Sequence, residues 1–78
     1  MSKTNVYYVV KLFCIKYNKF TYLYAGNPYR VVYEATRFSS YEECYVRMQE
    51  FFQWSESRED FDMNKSKVCK ITLIEEEM

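Results

Sequence analysis

Residues 39–55 read SSYEECYVRMQEFFQWS, and this stretch supplies the one helix around which the rest of the chain is arranged. Ser39 and Ser40 are each followed three residues later by a glutamate, Glu42 and Glu43. That is a doubled capping box, in which a serine oxygen takes an orphan amide of the first helical turn. From there Tyr41, Cys44, Tyr45, Met48, Phe51 and Phe52 recur at helical spacing as one apolar stripe. Glu43 and Arg47 form an i,i+4 pair on the other side. The pattern predicts a helix from about residue 40 to Trp54 or Ser55, whose stripe is the main contribution to the core.

Towards the N-terminus, residues 5–17 (NVYYVVKLFCIKY) are β-branched and aromatic on both parities, which predicts a central strand. Asn18-Lys19 suits a two-residue hairpin turn, because Asn tolerates positive φ. That turn would set Tyr17 opposite Phe20, Ile15 opposite Tyr22 and Phe13 opposite Tyr24, each pair contributing roughly 0.2–1 kcal/mol. The only Gly and the only Pro fall in Ala25-Gly26-Asn27-Pro28-Tyr29, a turn signal, after which residues 31–38 read as a third strand.

Beyond the helix, Glu56 to Ser66 is polar and unpatterned and is expected to form an acidic loop. Val68 to Ile74 alternates as a last strand, and residues 75–78 read as a frayed, charged tail. The expected fold is a single small α+β domain over residues 1–78, of order β-β-β-α-β. One helix packs on one face of a small antiparallel sheet.

Composition limits the function. Of 78 residues, 49% are apolar and 21% aromatic, a heavy load that argues for a folded domain and leaves aromatic surface for a partner. Net charge is zero but unevenly divided. Residues 1–38 hold six basic residues against one acid, +5, and residues 39–78 hold five against ten, −5. Such a division predicts a dipolar surface that steers partners. Cys14, Cys44 and Cys69 are odd in number, form no CxxC pair and fall in phase with apolar neighbours. They read as reduced core thiols of a cytoplasmic protein. The stretch from Val6 to Ile15 is too short for a spanning helix and is interrupted by Lys11, so neither a membrane nor a secretory route is expected.

Catalytic constellations are missing from the sequence. With no His there is no imidazole base, no Ser lies in a GxSxG elbow, and one Gly cannot build a phosphate loop. Asp60-x-Asp62-x-Asn64 imitates the start of a calcium loop, but Lys65 and Ile71 stand where Gly and Glu are required. A non-enzymatic chain without cofactor or metal is expected.

In general character the chain resembles the small orphan proteins encoded by bacteriophages, among them host-takeover proteins and inhibitors of host defence systems. Its short length, its abundance of Tyr, Phe, Asn and Lys, and the aromatic run Tyr7 to Tyr33 carry the resemblance. This implies a stoichiometric binder that blocks or redirects a host protein in the host cytoplasm.

The leading expectation is therefore a protein-binding module, an inhibitor or adaptor, with homodimerisation among its options. Its partner would contact Trp54 and the acids Glu56, Glu59, Asp60 and Asp62, since Trp is favoured at interface hot spots and acids steer approach. The alternative is a small nucleic-acid-binding protein. In it Tyr7, Tyr22, Tyr24 and Tyr33 alternate with Lys11 and Arg30 across a basic, tyrosine-rich sheet. Against it stand the absent RRM signature and the neutral overall charge.

Overall fold

The helix forms as its sequence dictates. In the computed structural model, which describes residues 2–76, α1 runs Tyr41–Trp54 with Ser40 as its N-cap. The Ser40 Oγ accepts the amide of Glu43 at 3.2 Å, satisfying one of the orphan donors of the first turn. Of the two capping signals the second is the one used. The strands are β1 (Ser2–Cys14), β2 (Lys19–Tyr24), β3 (Asn27–Arg30) and β4 (Phe61–Glu76). They make one antiparallel sheet in the order β3-β2-β1-β4, so the expected α+β architecture is present and β1 is central as its two apolar faces require.

α1 covers the sheet face carrying Val10, Leu12 and Cys14 of β1, Leu23 of β2 and Phe61 of β4. Cys44, Met48 and Phe51 enter this core from the helix, with Tyr8, Phe38, Phe52 and Val68 packed at its margin. The sheet thus supplies more of the buried cluster than the helix stripe does. Tyr41 and Tyr45, at the N-terminal end of the stripe, stack on each other at 5.9 Å and stay exposed. On the solvent side Arg47 pairs with Glu50 at 3.6 Å rather than with Glu43.

Three local expectations are corrected. The β1–β2 turn spans Ile15–Asn18, not Asn18-Lys19, although Asn18 does take the positive φ of 51°. Phe13 consequently faces Phe20, and Lys11 faces Tyr22. The Ile15 amide is occupied by the Asp60 carbonyl at 2.8 Å, which draws the end of β1 towards the β4 side, away from β2. The offset of four residues is even, so Phe13, Phe20, Tyr22 and Tyr24 keep a common face, whereas Ile15 and Tyr17 lie in the turn.

The third strand lies earlier than expected. Asn27–Arg30 forms it, and Pro28 is accommodated because β3 is an edge strand where a missing donor is harmless. Residues 31–38 instead contain a 3₁₀ turn at Val32–Glu34 and fold back beside β1. There Phe38 and Tyr8 exchange backbone hydrogen bonds of 2.9 Å each way.

The acidic loop is also shorter than expected. It ends in a 3₁₀ turn at Arg58–Asp60, and β4 begins at Phe61, whose ring is buried against Phe51. Residues 62–66 form an irregularity inside the strand: β1 advances from Lys11 to Phe13 while its β4 partners step from Lys67 to Asp62. The odd number of extra residues inverts the alternation, which lets both Phe61 and Val68 reach the helix side. Glu75 and Glu76 continue β4 opposite Lys3 and Ser2 rather than fraying, and residues 77–78 lie outside the described residues.

Candidate functional site

The sheet face opposite α1 buries Val9 completely and leaves the residues around it half-exposed or exposed. On β1 it carries Tyr7, Lys11 and Phe13, and the register adds Phe20 and Tyr22 from β2, Arg30 from β3 and Lys67 from β4. Tyr24 joins them, with the Arg30 guanidinium 5.7 Å from its ring centre. Nearly every ring on this face has a cation over it. Lys11 Nζ lies 4.5 Å from the Phe20 centroid and Lys67 Nζ lies 5.9 Å from it. Lys65, from the β4 irregularity, covers Phe13 at 4.7 Å, and Arg37, from the returning segment, covers Tyr7 at 4.4 Å. Phe13 and Phe20 meet edge to face at 5.1 Å.

Carboxylates hardly neutralise this surface. Arg30 is bridged to Glu34 at 3.4 Å, but Lys11, Arg37, Lys65 and Lys67 have no ion pair among the described residues. Asp62 lies opposite Phe13, yet its Oδ1 accepts the amides of Asn64 at 2.9 Å and Lys65 at 3.4 Å. The exposed Glu42, Glu43 and Glu50 sit on the helix layer instead.

Of the tyrosine-rich set read from sequence, Tyr7, Lys11, Tyr22, Tyr24 and Arg30 share this face. Tyr33 does not: it projects from the 3₁₀ turn, 77% exposed. Phe13, Phe20, Arg37, Lys65 and Lys67 complete the surface. Lys65 sits in the polar run 56–66 and Lys67 just beyond it, and their i,i+2 spacing is the signal the sequence offers for the pair.

The second set is more dispersed. Trp54, at the last turn of α1, is 72% exposed and borders a shallow depression with Leu23, Gly26, Arg47 and Glu50. Glu56 and Glu59 are exposed in the turn that follows. Asp60 accepts the Tyr29 hydroxyl at 3.0 Å, and Asp62 holds the β4 irregularity as described, so both carboxylates have structural partners. Partial burial, then the bond to Asp60, raises the Tyr29 phenol above its ordinary value.

Cys14 and Cys44 are buried and Cys69 half-buried, all as free thiols. Burial pushes the Cys44 thiol up to about 11, the opposite of an activated nucleophile. Among the described residues no three His, Cys, Asp or Glu side chains converge as a metal site, and no helix is long and apolar enough to cross a membrane. No family model, no curated protein and no solved structure matches the chain.

Proposed function

We propose that the protein is a non-catalytic binding module whose open sheet face takes a single strand of nucleic acid. The observation carrying this reading is the layer of cations, four without a carboxylate partner among the described residues, interleaved with five aromatic rings on the sheet face opposite α1. Rings offer stacking platforms to unpaired bases, about 1–3 kcal/mol per base, while flanking cations follow the phosphates. A flat face of this kind suits splayed single strands, whose bases are free to leave their own stack. Overall neutrality does not oppose it, because of the carboxylates only Glu34 forms an ion pair with a cation of this face among the described residues. Three free cysteines, two of them buried, support a reducing compartment such as the cytoplasm.

The test is fluorescence anisotropy with labelled single-stranded DNA and RNA and with duplexes, over a salt series. Releasing counterions from about four phosphates gives a slope of log K against log salt of about −3 for a single strand. Salt-independent binding, or none to any single strand, defeats the reading.

A second reading, an inhibitor or adaptor docking on a host protein, is favoured by the exposure of Trp54. Capture of a protein partner that is lost with Trp54→Ala but kept when Lys11 and Lys67 are neutralised would select it.

A further inference from the structure

β4 lies at the edge of the sheet, and its distal half is poorly supported. β2 pairs with β1 only from Lys11 onwards, and Phe38 bridges only at Tyr8. Ser2–Tyr7 and Ile71–Glu76 therefore form a bare two-stranded ribbon. Such ribbons are marginal in water and gain stability from a third strand. Val6, Leu73 and Ile74 on this ribbon are exposed, Ile74 by 65%.

The free backbone groups can be identified. Tyr8 gives both its amide and its carbonyl to Phe38, so the even residues of β1 point away from β4 and the odd ones towards it. Tyr7 with Ile71, and Val9 with Cys69, are then the hydrogen-bonded pairs. Val68, Lys70, Thr72 and Ile74 aim their N–H and C=O groups outward, a ladder ready for another strand.

We infer that two copies of the chain pair antiparallel through this edge, about a two-fold axis at Ile71, joining two four-stranded sheets into one of eight strands. That register sets Val68 opposite Ile74, Lys70 opposite Thr72, and Cys69 opposite Leu73. Ile71 meets itself, and Lys67 stands opposite Glu75. Moving the axis to residue 70 sets Lys70 against itself, a like-charge clash. Moving it to residue 72 sets Val68 against Glu76 and Cys69 against Glu75, apolar residues against acids. Only the Ile71 axis matches apolar with apolar and base with acid. Directly opposed residues share a face, so the two aromatic–cationic faces run together on one side and both helices lie on the other. The pairing needs no nucleic acid.

Sedimentation equilibrium of the free protein tests the assembly, and a cysteine substitution tests its register. The mass should double as concentration rises from micromolar to millimolar. Under a mild oxidant, Leu73→Cys should give a covalent dimer whose disulfide joins residue 73 to Cys69 of the second copy. In one chain these positions are four strand residues apart, about 13 Å, too far for an internal disulfide. Thr72→Pro removes an outward amide without touching the β1 ladder, and should leave a folded monomer. If that variant does not fold, the disulfide map decides alone. A wild-type chain that stays monomeric throughout, or a disulfide joining other positions, overturns the inference.

Discussion

Ser66 Oγ occupies the place of a missing strand neighbour: it accepts the Phe13 amide at 3.0 Å and donates to the Asp62 carbonyl at 2.7 Å. One hydroxyl thereby satisfies two backbone groups that the β4 irregularity would leave unpaired. Ser66 is buried, so water does not replace it readily. Ser66→Ala should lower stability by about 1–3 kcal/mol, the cost of leaving buried polar groups unmet. Urea denaturation measures it as a lower midpoint at unchanged slope. A midpoint equal to the parent's would mean that the irregularity is held by the Asp62 contacts alone.

Core and surface positions of α1 should separate cleanly. Met48 and Phe51 are buried, and Met48→Ala or Phe51→Ala should each cost about 2–5 kcal/mol. Trp54 is solvent-exposed at the helix end, and Trp54→Ala should change stability by no more than about 0.5 kcal/mol. Thermal melts of the three variants check this. A Trp54 variant as damaged as the Phe51 variant would make the indole a lid on the core.

Alkaline pH should weaken the fold through Cys44. Its thiol titrates at about 11 when folded against 9.0 ordinarily, so the unfolded chain releases its proton first. Fewer protons on the unfolded state make the slope of stability with pH negative. The contribution is intact below about pH 9 and is lost as pH rises through about 11. Tyr29, also raised, acts in the same direction. Melts of the parent and of Cys44→Ala across this range provide the check, and the variant should show the shallower decline. Parallel curves would remove Cys44 as the cause.

Two kinds of open-face substitution should weaken nucleic-acid binding differently. Lys67→Ala or Arg37→Ala should lower affinity uniformly and reduce the salt slope by about 1 each. Tyr24→Ala removes a ring that is exposed to solvent, and should lose about 1–3 kcal/mol of binding while leaving the salt slope unchanged. Anisotropy titrations on one oligonucleotide measure both quantities. Identical salt slopes for the parent and both charge variants would place the phosphates elsewhere.

Elements of this fold are more legible in the sequence than the partners of each side chain. The helix and its Ser40 cap were legible because 3.6-residue spacing and a serine–glutamate pair are short-range signals. The β3 position is not legible in sequence, since Pro28 looks like a loop residue and only the strand order makes β3 an edge. Residues 61–66 look like loop in the sequence because Phe61 and Met63 stand among polar side chains and follow no period. Their alternation is broken by backbone geometry that Ser66 and Asp62 stabilise. The tyrosine-rich face was partly visible, as an alternation of Tyr7 and Lys11 within one strand.

What the sequence determined by itself is local: one capped helix, a central strand apolar on both faces, a chain divided into basic and acidic halves. What tertiary structure alone decided is which side chains stand together. Lys65 and Lys67 come to Phe13 and Phe20 only because β4 returns antiparallel along β1. Asp60 and Asp62, acids of the same segment, are turned to Tyr29 and to backbone amides. Propensity and period act over a few neighbouring residues, whereas strand register is set by packing and hydrogen bonding between segments some fifty positions apart.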